Sequence, residues 1–161
     1  MGGDPDGAAF PTLDSFLGTL REIGAEHDVL VQAFDARYVA GRPHLESALE
    51  HAKRSKERGE NVADDLAVEV LCYAAGRRQI DEAMELGVSA GEQPVVVLLA
   101  GDRESDAAAA VAERAIEPGP VEPSERRLTA FFGITDAERA VTSGTLTDLV
   151  CERVALLDVE K

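Results

Sequence analysis

Two neighbouring arginines, Arg77 and Arg78, stand where a short helix is predicted to begin, directly after Gly76. The first turn of a helix carries the positive end of the helix dipole, so cations placed there raise the free energy of the fold. Together with Gln79 they offer hydrogen-bond donors that suit a phosphate or a carboxylate. The pattern therefore predicts either an anionic partner at this turn or a neighbouring acidic side chain that pairs with the arginines.

A second group of cations crowds the C-terminal end of the long helix upstream: Lys53, Arg54, Lys56 and Arg58. Cations in this position offset the negative end of the helix dipole by about 0.3–1 kcal/mol each. Glu50 also lies one turn before Arg54, where the two can pair. A structural role is therefore the simpler interpretation, and a functional role stays open.

Motifs for catalysis or metal binding do not emerge. The chain has no P-loop pattern, no GxGxxG after a strand and no HExxH. His44 and His51 lie two turns apart on one helix, too far along its axis for one metal unless other ligands converge, and His27 is remote in sequence. The two cysteines, Cys72 and Cys151, show no zinc-type spacing and are expected to be reduced core thiols. We therefore expect no enzyme, no metal and no cofactor.

The charge balance is strongly acidic: 31 Asp and Glu against 16 Lys and Arg give a formal net charge of −15. Such an excess opposes nonspecific binding to nucleic acid or anionic membranes. An acidic chain that is poor in lysine and rich in alanine is typical of proteins adapted to molar salt, where the Debye length is about 3 Å. We therefore hypothesise a halophile-like protein.

Targeting signals are not evident in the sequence. Residues 1–7 are acidic and glycine-rich, unlike a signal peptide, and residues 1–10 are expected to be flexible. The longest apolar run, from Val95 to Ala100, is far shorter than the roughly 20 residues of a membrane span. A cytoplasmic protein without a membrane partner is expected.

The apolar pattern predicts one compact domain over residues 1–161, of α/β (α+β) class, with a small central β-sheet packed by several α-helices. Strands are predicted from Asp28 to Phe34 and from Val95 to Leu99, with residues 88–91 and 37–40 as candidates for further strands. Helices are predicted from Leu13 to about Ile23, Pro43 to about Arg58, Asn61 to Ala74, Arg77 to about Gly87, Glu104 to Ala115, Ser124 to Phe132, and after Thr135 and Thr145. In the helix after Gly76, we expect Ile80, Ala83 and Met84 to face inward.

The stretch from Asn61 to Gly87 resembles the signature of the small kinase-binding subunit of the KEOPS complex. The resembling positions are Asn61-Val-Ala, Leu66, Glu69-Val-Leu71, Tyr73-Ala-Ala-Gly76, Arg78-Gln79-Ile80, Ala83 and Gly87. Outside this stretch, His44-Leu45, Ala48, Ala52, the run from Val95 to Leu99 and Val154-Ala-Leu-Leu-Asp158 also look like that family. The resemblance covers nearly the whole chain from Leu13, and its fixed register makes it specific.

This resemblance implies a non-catalytic α/β accessory subunit. In that family the subunit docks on the amino-terminal lobe of a small atypical kinase/ATPase, its direct partner, which in turn contacts a metal-dependent threonylcarbamoyl transferase. The assembly makes N6-threonylcarbamoyladenosine (t6A) beside the tRNA anticodon. The small subunit stimulates the kinase and helps to recruit tRNA by its 3′ end.

The resemblance also implies site residues. The implied RNA contacts are Arg78 and Gln79, with Arg77 beside them and Tyr73 as a stacking group. Three cations of the upstream helix extend a track for the RNA backbone: Lys53, Arg54 and Lys56. The implied kinase contacts are apolar residues expected to be exposed on the last helices: Leu149, Val150 and Leu157.

Two other classes of function stay open. One is a small-molecule-binding or enzymatic α/β domain that uses the elbow of residues 73–79 as a pocket, which predicts a deep cavity with perturbed carboxylates there. The other is a homo-oligomeric scaffold. An accessory subunit predicts instead a shallow, exposed elbow.

Overall fold

The computed structural model describes residues 13–61, 63–89, 94–114, 122–141 and 144–160. Its helices are α1 (Leu13–His27), α2 (Arg42–Glu57), α3 (Leu66–Ala75), α4 (Ile80–Ala83), α5 (Glu104–Arg114), α6 (Glu125–Phe132), α7 (Asp136–Val141) and α8 (Leu146–Glu160). The strands are β1 (Leu30–Asp35) and β2 (Val95–Ala100), and 3₁₀ turns occur at Ala36–Tyr38 and Met84–Leu86. The flexible start predicted for residues 1–10 lies outside the described residues.

The sheet forms the middle layer of the fold. Strands β1 and β2 pair antiparallel, in a register that sets Leu30 opposite Ala100. On one face Ala33 and Val97 pack into an apolar cluster with α1 and α5. On the other face Phe34 belongs to the larger cluster that α2, α3, α6 and α8 share. A small sheet with helices on both faces confirms the predicted α+β class.

Neither of the further strands is present in the described residues. At residues 37–40 the prediction is wrong because the carboxylate of Asp35 accepts a hydrogen bond from the backbone N–H of Arg37 at 3.0 Å and turns the chain. The same carboxylate pairs with the Arg37 guanidinium at 2.7 Å. At residues 88–91, positions 88 and 89 lie outside any strand and positions 90 and 91 outside the described residues. Gly87, just before them, makes an isolated antiparallel bridge to Phe34.

Helix α3 lies between α2, β1 and α8, and every side chain from Glu69 to Ala75 is buried. The predicted burial of this helix on two sides is therefore confirmed. Its predicted start after Asn61 is wrong, because the side chain of Asp65 caps the helix by accepting from the N–H of Ala67. The buried helix fixes where the chain emerges at Gly76.

Gly76 ends α3 for two physical reasons. Its φ of 65° is in the left-handed region, which favours glycine. A Cβ at this position would also lie 3.2 Å from the backbone oxygen of Arg153 on α8. The close approach of the two helices therefore depends on the missing side chain.

A buried histidine joins α2 to α3. The His44 Nδ1 accepts a hydrogen bond from the N–H of Ala40 at 3.0 Å, so the proton is on Nε2, which donates to the carbonyl of Ala74 at 2.7 Å. The ring is 0% exposed. Burial disfavours the charged imidazolium and lowers the His44 pKa to about 4, against which the bond to Ala74 acts weakly.

The lowered pKa predicts a pH-dependent stability that His44 itself causes. Above pH 6.5 the ring is neutral in both states, and the folded state keeps its full stability. As the pH falls from 6.5 towards 4, His44 binds a proton in the unfolded chain but not in the folded protein. The free energy of unfolding therefore decreases by about 3 kcal/mol. Urea unfolding at a series of pH values measures this loss.

The variant His44→Gln isolates the effect, because an amide can accept from Ala40 and donate to Ala74 without titrating. We expect it to lose most of the pH slope between 6.5 and 4, whereas His27→Gln on α1 keeps the slope. Equal slopes in wild type and His44→Gln would contradict the assignment.

Candidate functional site

The ring of Tyr73 lies inside the fold, which corrects its expected place as a surface for stacking. It is 0% exposed and stacks on the ring of His51, with centroids 5.6 Å apart and planes 20° apart. Its hydroxyl donates to Oδ1 of Asp158. A base therefore has no access to this ring unless the last turn of α8 moves.

Arg77 is held by the neighbouring helix α6. Its Nη2 donates to the carbonyl of Phe131 at 2.6 Å, and its guanidinium carbon lies 4.3 Å from the centre of the Phe131 ring. Its Nη1 pairs with Glu82 at 3.2 Å. The carbonyls of the last helical turn have no partners within their own helix, so Arg77 satisfies one of them. Of the alternatives that the sequence left open, the internal partner is present for Arg77. The predicted helix start at Arg77 is wrong, because α4 begins at Ile80 with Gln79 as its N-cap, and the backbone N–H of Arg77 instead bonds to the carbonyl of Cys72 at the end of α3.

Arg153 completes the same arrangement from α8. Its Nε donates to the carbonyl of Phe132 at 3.0 Å, and its guanidinium forms a two-pronged pair with Glu138 at 2.7 and 3.0 Å. Hydrogen bonding with Glu138 raises the pKa of Arg153 and correspondingly lowers that of the glutamate. Two arginines from separate elements therefore cap the end of α6, and they fix the elbow against it.

Arg78, Gln79, Ile80 and Met84 are exposed on the outside of the elbow, and the neighbouring carboxylates of Asp81, Glu82 and Glu85 are exposed as well. Ala83 is buried as predicted, but Ile80 and Met84 are 41% and 59% exposed, which corrects their predicted inward position. The reason is that α4 has only four residues and turns into 3₁₀ geometry at Met84, so a single stripe of side chains faces the core. We call these four residues the elbow surface; it offers hydrogen-bond donors beside apolar area.

The cations at the end of α2 are largely engaged within the protein. Arg54 pairs with Glu50 at 3.0 Å, and Nζ of Lys56 donates to the carbonyl of Asp64 at 2.5 Å. Lys53 is exposed and makes no ion pair with any part of the chain that the structure describes. The pairing between Arg54 and Glu50 is the one that the sequence predicted.

Asp158 gathers groups from α2 and α3 around one carboxylate. Its Oδ2 lies 2.5 Å from Nδ1 of His51, and its Oδ1 accepts from Tyr73 and lies 3.5 Å from Nη2 of Arg58. Burial raises the pKa of Asp158, but the bonds from Tyr73 and His51 and the nearby positive charge outweigh it, so the pKa is lowered. An ionised carboxylate only accepts, so Nδ1 of His51 carries its proton towards Asp158. The approach of Arg54 to that nitrogen at 3.1 Å is then a contact, not a hydrogen bond.

The partner contacts implied for the last helices are core residues. Leu149, Val150 and Leu157 are 4%, 0% and 1% exposed. They form the inward stripe of α8, which packs on α2, α3 and α6, and this position corrects the expectation that they are exposed. Among the side chains that the structure describes, the large apolar ones exposed on α7 and α8 are Val141 and Leu156, at 87% and 42%.

A cavity of about 520 Å³ runs along the outer edge of β2, away from the elbow. Its lining includes Val96, Leu98 and the first residues of α2 and α5. Residues 73–79 do not line it, so this cavity gives no support to a pocket at the elbow. Among the residues described, no group of three His, Cys, Asp or Glu side chains is arranged to hold a metal ion.

Residues 87–91 fit the letters of the G-x-S-x-G pattern of hydrolases, around Ser89. In a hydrolase the serine lies on a sharp turn that follows a strand and precedes a helix. Here the described chain has the reverse order, with the helical residues of α4 and Met84–Leu86 before the pattern and strand β2 after it. The strand–turn–helix context of the hydrolase pattern is therefore not found in the described residues around Ser89.

Comparison with known proteins gives a family. The family model described as kinase binding protein CGI-121 matches residues 18–158, which is most of the chain. No curated protein matches the chain. No helix in the described ranges is long and apolar enough to cross a membrane.

The internal partners of Arg77 predict opposite consequences for the two neighbouring arginines. Replacing Arg77 with alanine leaves a carbonyl at the end of α6 without its charged donor, and we expect a loss of about 1.5–3 kcal/mol in the free energy of unfolding. The exposed Arg78 is the matched control, and Arg78→Ala should change stability much less. Urea unfolding of both variants measures the difference, and equal losses would contradict the structural role of Arg77.

Proposed function

The chain belongs to the CGI-121 family of kinase binding proteins, and we propose that it is a non-catalytic regulatory subunit of the KEOPS complex. Its direct partner in this proposal is the small atypical kinase/ATPase, whose ATP hydrolysis it stimulates. The observation that carries the proposal is the family match over residues 18–158. The threonylcarbamoyl transferase is an indirect partner within the complex, and the product is t6A in tRNA.

In this proposal the protein works in the cytoplasm as one domain and contributes contacts, not chemistry. What supports a role without catalysis is the use of its polar groups: His44, Asp158, Arg77 and Arg153 all join elements of the fold.

We place the kinase contact on the outer side of α7 and α8. Val141 and Leu156 are exposed there, and apolar side chains surrounded by polar ones are typical of the centre of a heteromeric interface. They replace the core residues Leu149, Val150 and Leu157 as candidate contacts. The inward stripe of α8 would then hold the helix in place while its outer side binds.

We place the RNA contact on the elbow surface, with Arg78 and Gln79 as the groups that touch the 3′ end of tRNA. Arg77 orients the elbow through α6 and so acts on RNA indirectly. The cations Lys53, Arg54 and Lys56 extend the contact along α2. Because the chain carries −15, this binding needs locally clustered cations and should weaken steeply as salt increases.

The kinase proposal predicts a discrete complex that depends on the outer side of α8. The protein should co-elute with the kinase in gel filtration and increase its ATP hydrolysis. The double variant Val141→Glu/Leu156→Glu should lose co-elution, because it adds charge to an apolar contact. The control Ile80→Glu/Met84→Glu changes two exposed apolar residues elsewhere and should keep it. Absence of co-elution with the wild-type protein would refute the proposed function.

The RNA proposal predicts that Arg78 acts directly and Arg77 through the fold. In a titration of labelled tRNA at controlled salt, Arg78→Glu should weaken binding about tenfold or more, while the fold stays intact. Arg77→Lys keeps the charge but loses the planar guanidinium that binds both the carbonyl of Phe131 and Glu82. It should weaken RNA binding only as far as it destabilises the elbow. Equal affinities of wild type and Arg77→Glu/Arg78→Glu would remove the elbow surface from the RNA contact.

A further inference from the structure

The C-terminal end of α2 is already in contact with an anion from the protein itself, the carboxylate of Asp158 on α8. The carboxylate of Asp158 lies against His51 at 2.5 Å and Arg58 at 3.5 Å, and Arg54 approaches the same histidine at 3.1 Å. The side chain of Asp158 is only 23% exposed, so these contacts are largely shielded from solvent. Cations that stabilise an internal carboxylate would stabilise a phosphate by the same attraction.

The position of this carboxylate is unfavourable for its own helix. Asp158 lies in the last turn of α8, where the helix dipole is negative and where no basic residue of α8 offsets it. Its charge is therefore stabilised from outside α8. Among the described residues, the titratable groups in contact with it are His51 from α2, Arg58 just after α2 and Tyr73 from α3, while Arg54 reaches only as far as His51.

The cations in question remain partly accessible. The side chains of Arg54 and Arg58 are 44% and 47% exposed, and each also pairs with a second carboxylate, Glu50 at 3.0 Å and Glu60 at 3.1 Å. An external phosphate that approaches them must therefore compete with Asp158 and with these two glutamates. This competition lowers the affinity of Arg54 and Arg58 for an external phosphate but does not block access to them.

We propose that Asp158 is an autoinhibitory internal ligand, which occupies the cationic end of α2 and weakens the binding of phosphate groups there. The occupant that it excludes is the sugar-phosphate backbone of a single-stranded RNA. This inference rests on the proposed function and deepens it, because Arg58 lies at the same helix end as Lys53, Arg54 and Lys56, which extend the RNA contact. The new element is the last turn of α8, whose Asp158 sets the affinity of the cations for phosphate.

Phosphate binding at the end of α2 and stabilisation of the last turn of α8 are coupled, and the coupling is reciprocal. A phosphate that draws Arg58 away from Asp158 removes part of the stabilisation of the last turn of α8. Any partner that holds that turn in place must then reduce the affinity for phosphate by the same factor. Kinase contact on α8 and RNA contact on α2 would in this way oppose each other.

The test compares two variants with the same change of charge. Asp158→Asn keeps an oxygen that can accept from Tyr73 but removes the charge. Glu46→Gln removes one charge near the opposite end of α2, where Glu46 pairs with Arg42 at 2.8 Å. The probe is a fluorescein-labelled oligouridylate, titrated into the full-length protein alone at low salt, with fluorescence anisotropy as the readout.

We expect Asp158→Asn to bind the probe about three- to fivefold more tightly than wild type, and Glu46→Gln to bind it nearly as wild type does. The gain should disappear when Arg58→Gln is added, since the freed cation is then gone. Equal gains in the two single variants would show a general effect of net charge and would overturn the proposal. Lack of any gain in Asp158→Asn would overturn it as well.

A second variant keeps the test valid if Asp158→Asn does not fold, as judged by circular dichroism. Glu60→Gln frees the same Arg58 from a carboxylate that is 57% exposed and outside the core. It should give a smaller gain of the same sign, and an affinity equal to that of Glu46→Gln would overturn the proposal. Because no kinase and no tRNA are used, failure here leaves the kinase proposal standing, and failure of kinase binding leaves this result interpretable.

Discussion

The burial of helix α3 is the constraint on which the rest of the structure depends. From Glu69 to Ala75 every side chain is buried, so each polar group on or beside the helix needs a partner inside the fold. His44 supplies one for the carbonyl of Ala74, and Asp158 supplies one for the hydroxyl of Tyr73. These partners come from α2 and α8, and they join the three helices into one unit.

The chain leaves this three-helix unit at Gly76, and that position determines which residues lie on the candidate surfaces. Gly76 permits α3 to end against the backbone of Arg153, so the following residues leave the core at a fixed place. Arg77 then binds the end of α6, and Arg78 and Gln79 are left at the surface. The same packing turns Leu149, Val150 and Leu157 of α8 inward, so these residues belong to the core.

The acidic composition acts differently on the two groups of cations. In a chain of charge −15, an arginine meets a carboxylate more often than not, and most cations of α2 are indeed engaged within the protein. In the proposed RNA contact, an anionic partner would therefore bind by displacing carboxylates of the protein from these cations. Such exchange makes affinity sensitive to salt and to the stability of the helix that carries the competing carboxylate.

Local patterns in the sequence determined the parts of the structure that depend on local interactions. The helical spacing, the helix starts after Thr135 and Thr145, and the apolar run of β2 are settled within a few residues, and the structure confirms them. The family resemblance rests on the same kind of information and agrees with the family match. Local rules failed where competing local signals exist, as at Asp35, whose side chain turns the chain where a strand was predicted.

Only the tertiary structure decided which polar residues are free to act. His51 and Asp158 are 107 positions apart, and no periodicity relates them. The inward position of Tyr73 and the contact of Arg77 with Phe131 likewise depend on helices brought together by packing. The sequence predicted that Arg77 and Arg78 begin a helix, but it does not show that α4 begins only at Ile80 or that Arg77 binds the carbonyl of Phe131, because that partner is supplied by a distant segment. The physical reason is that burial and pairing are properties of the assembled core and not of any single helix.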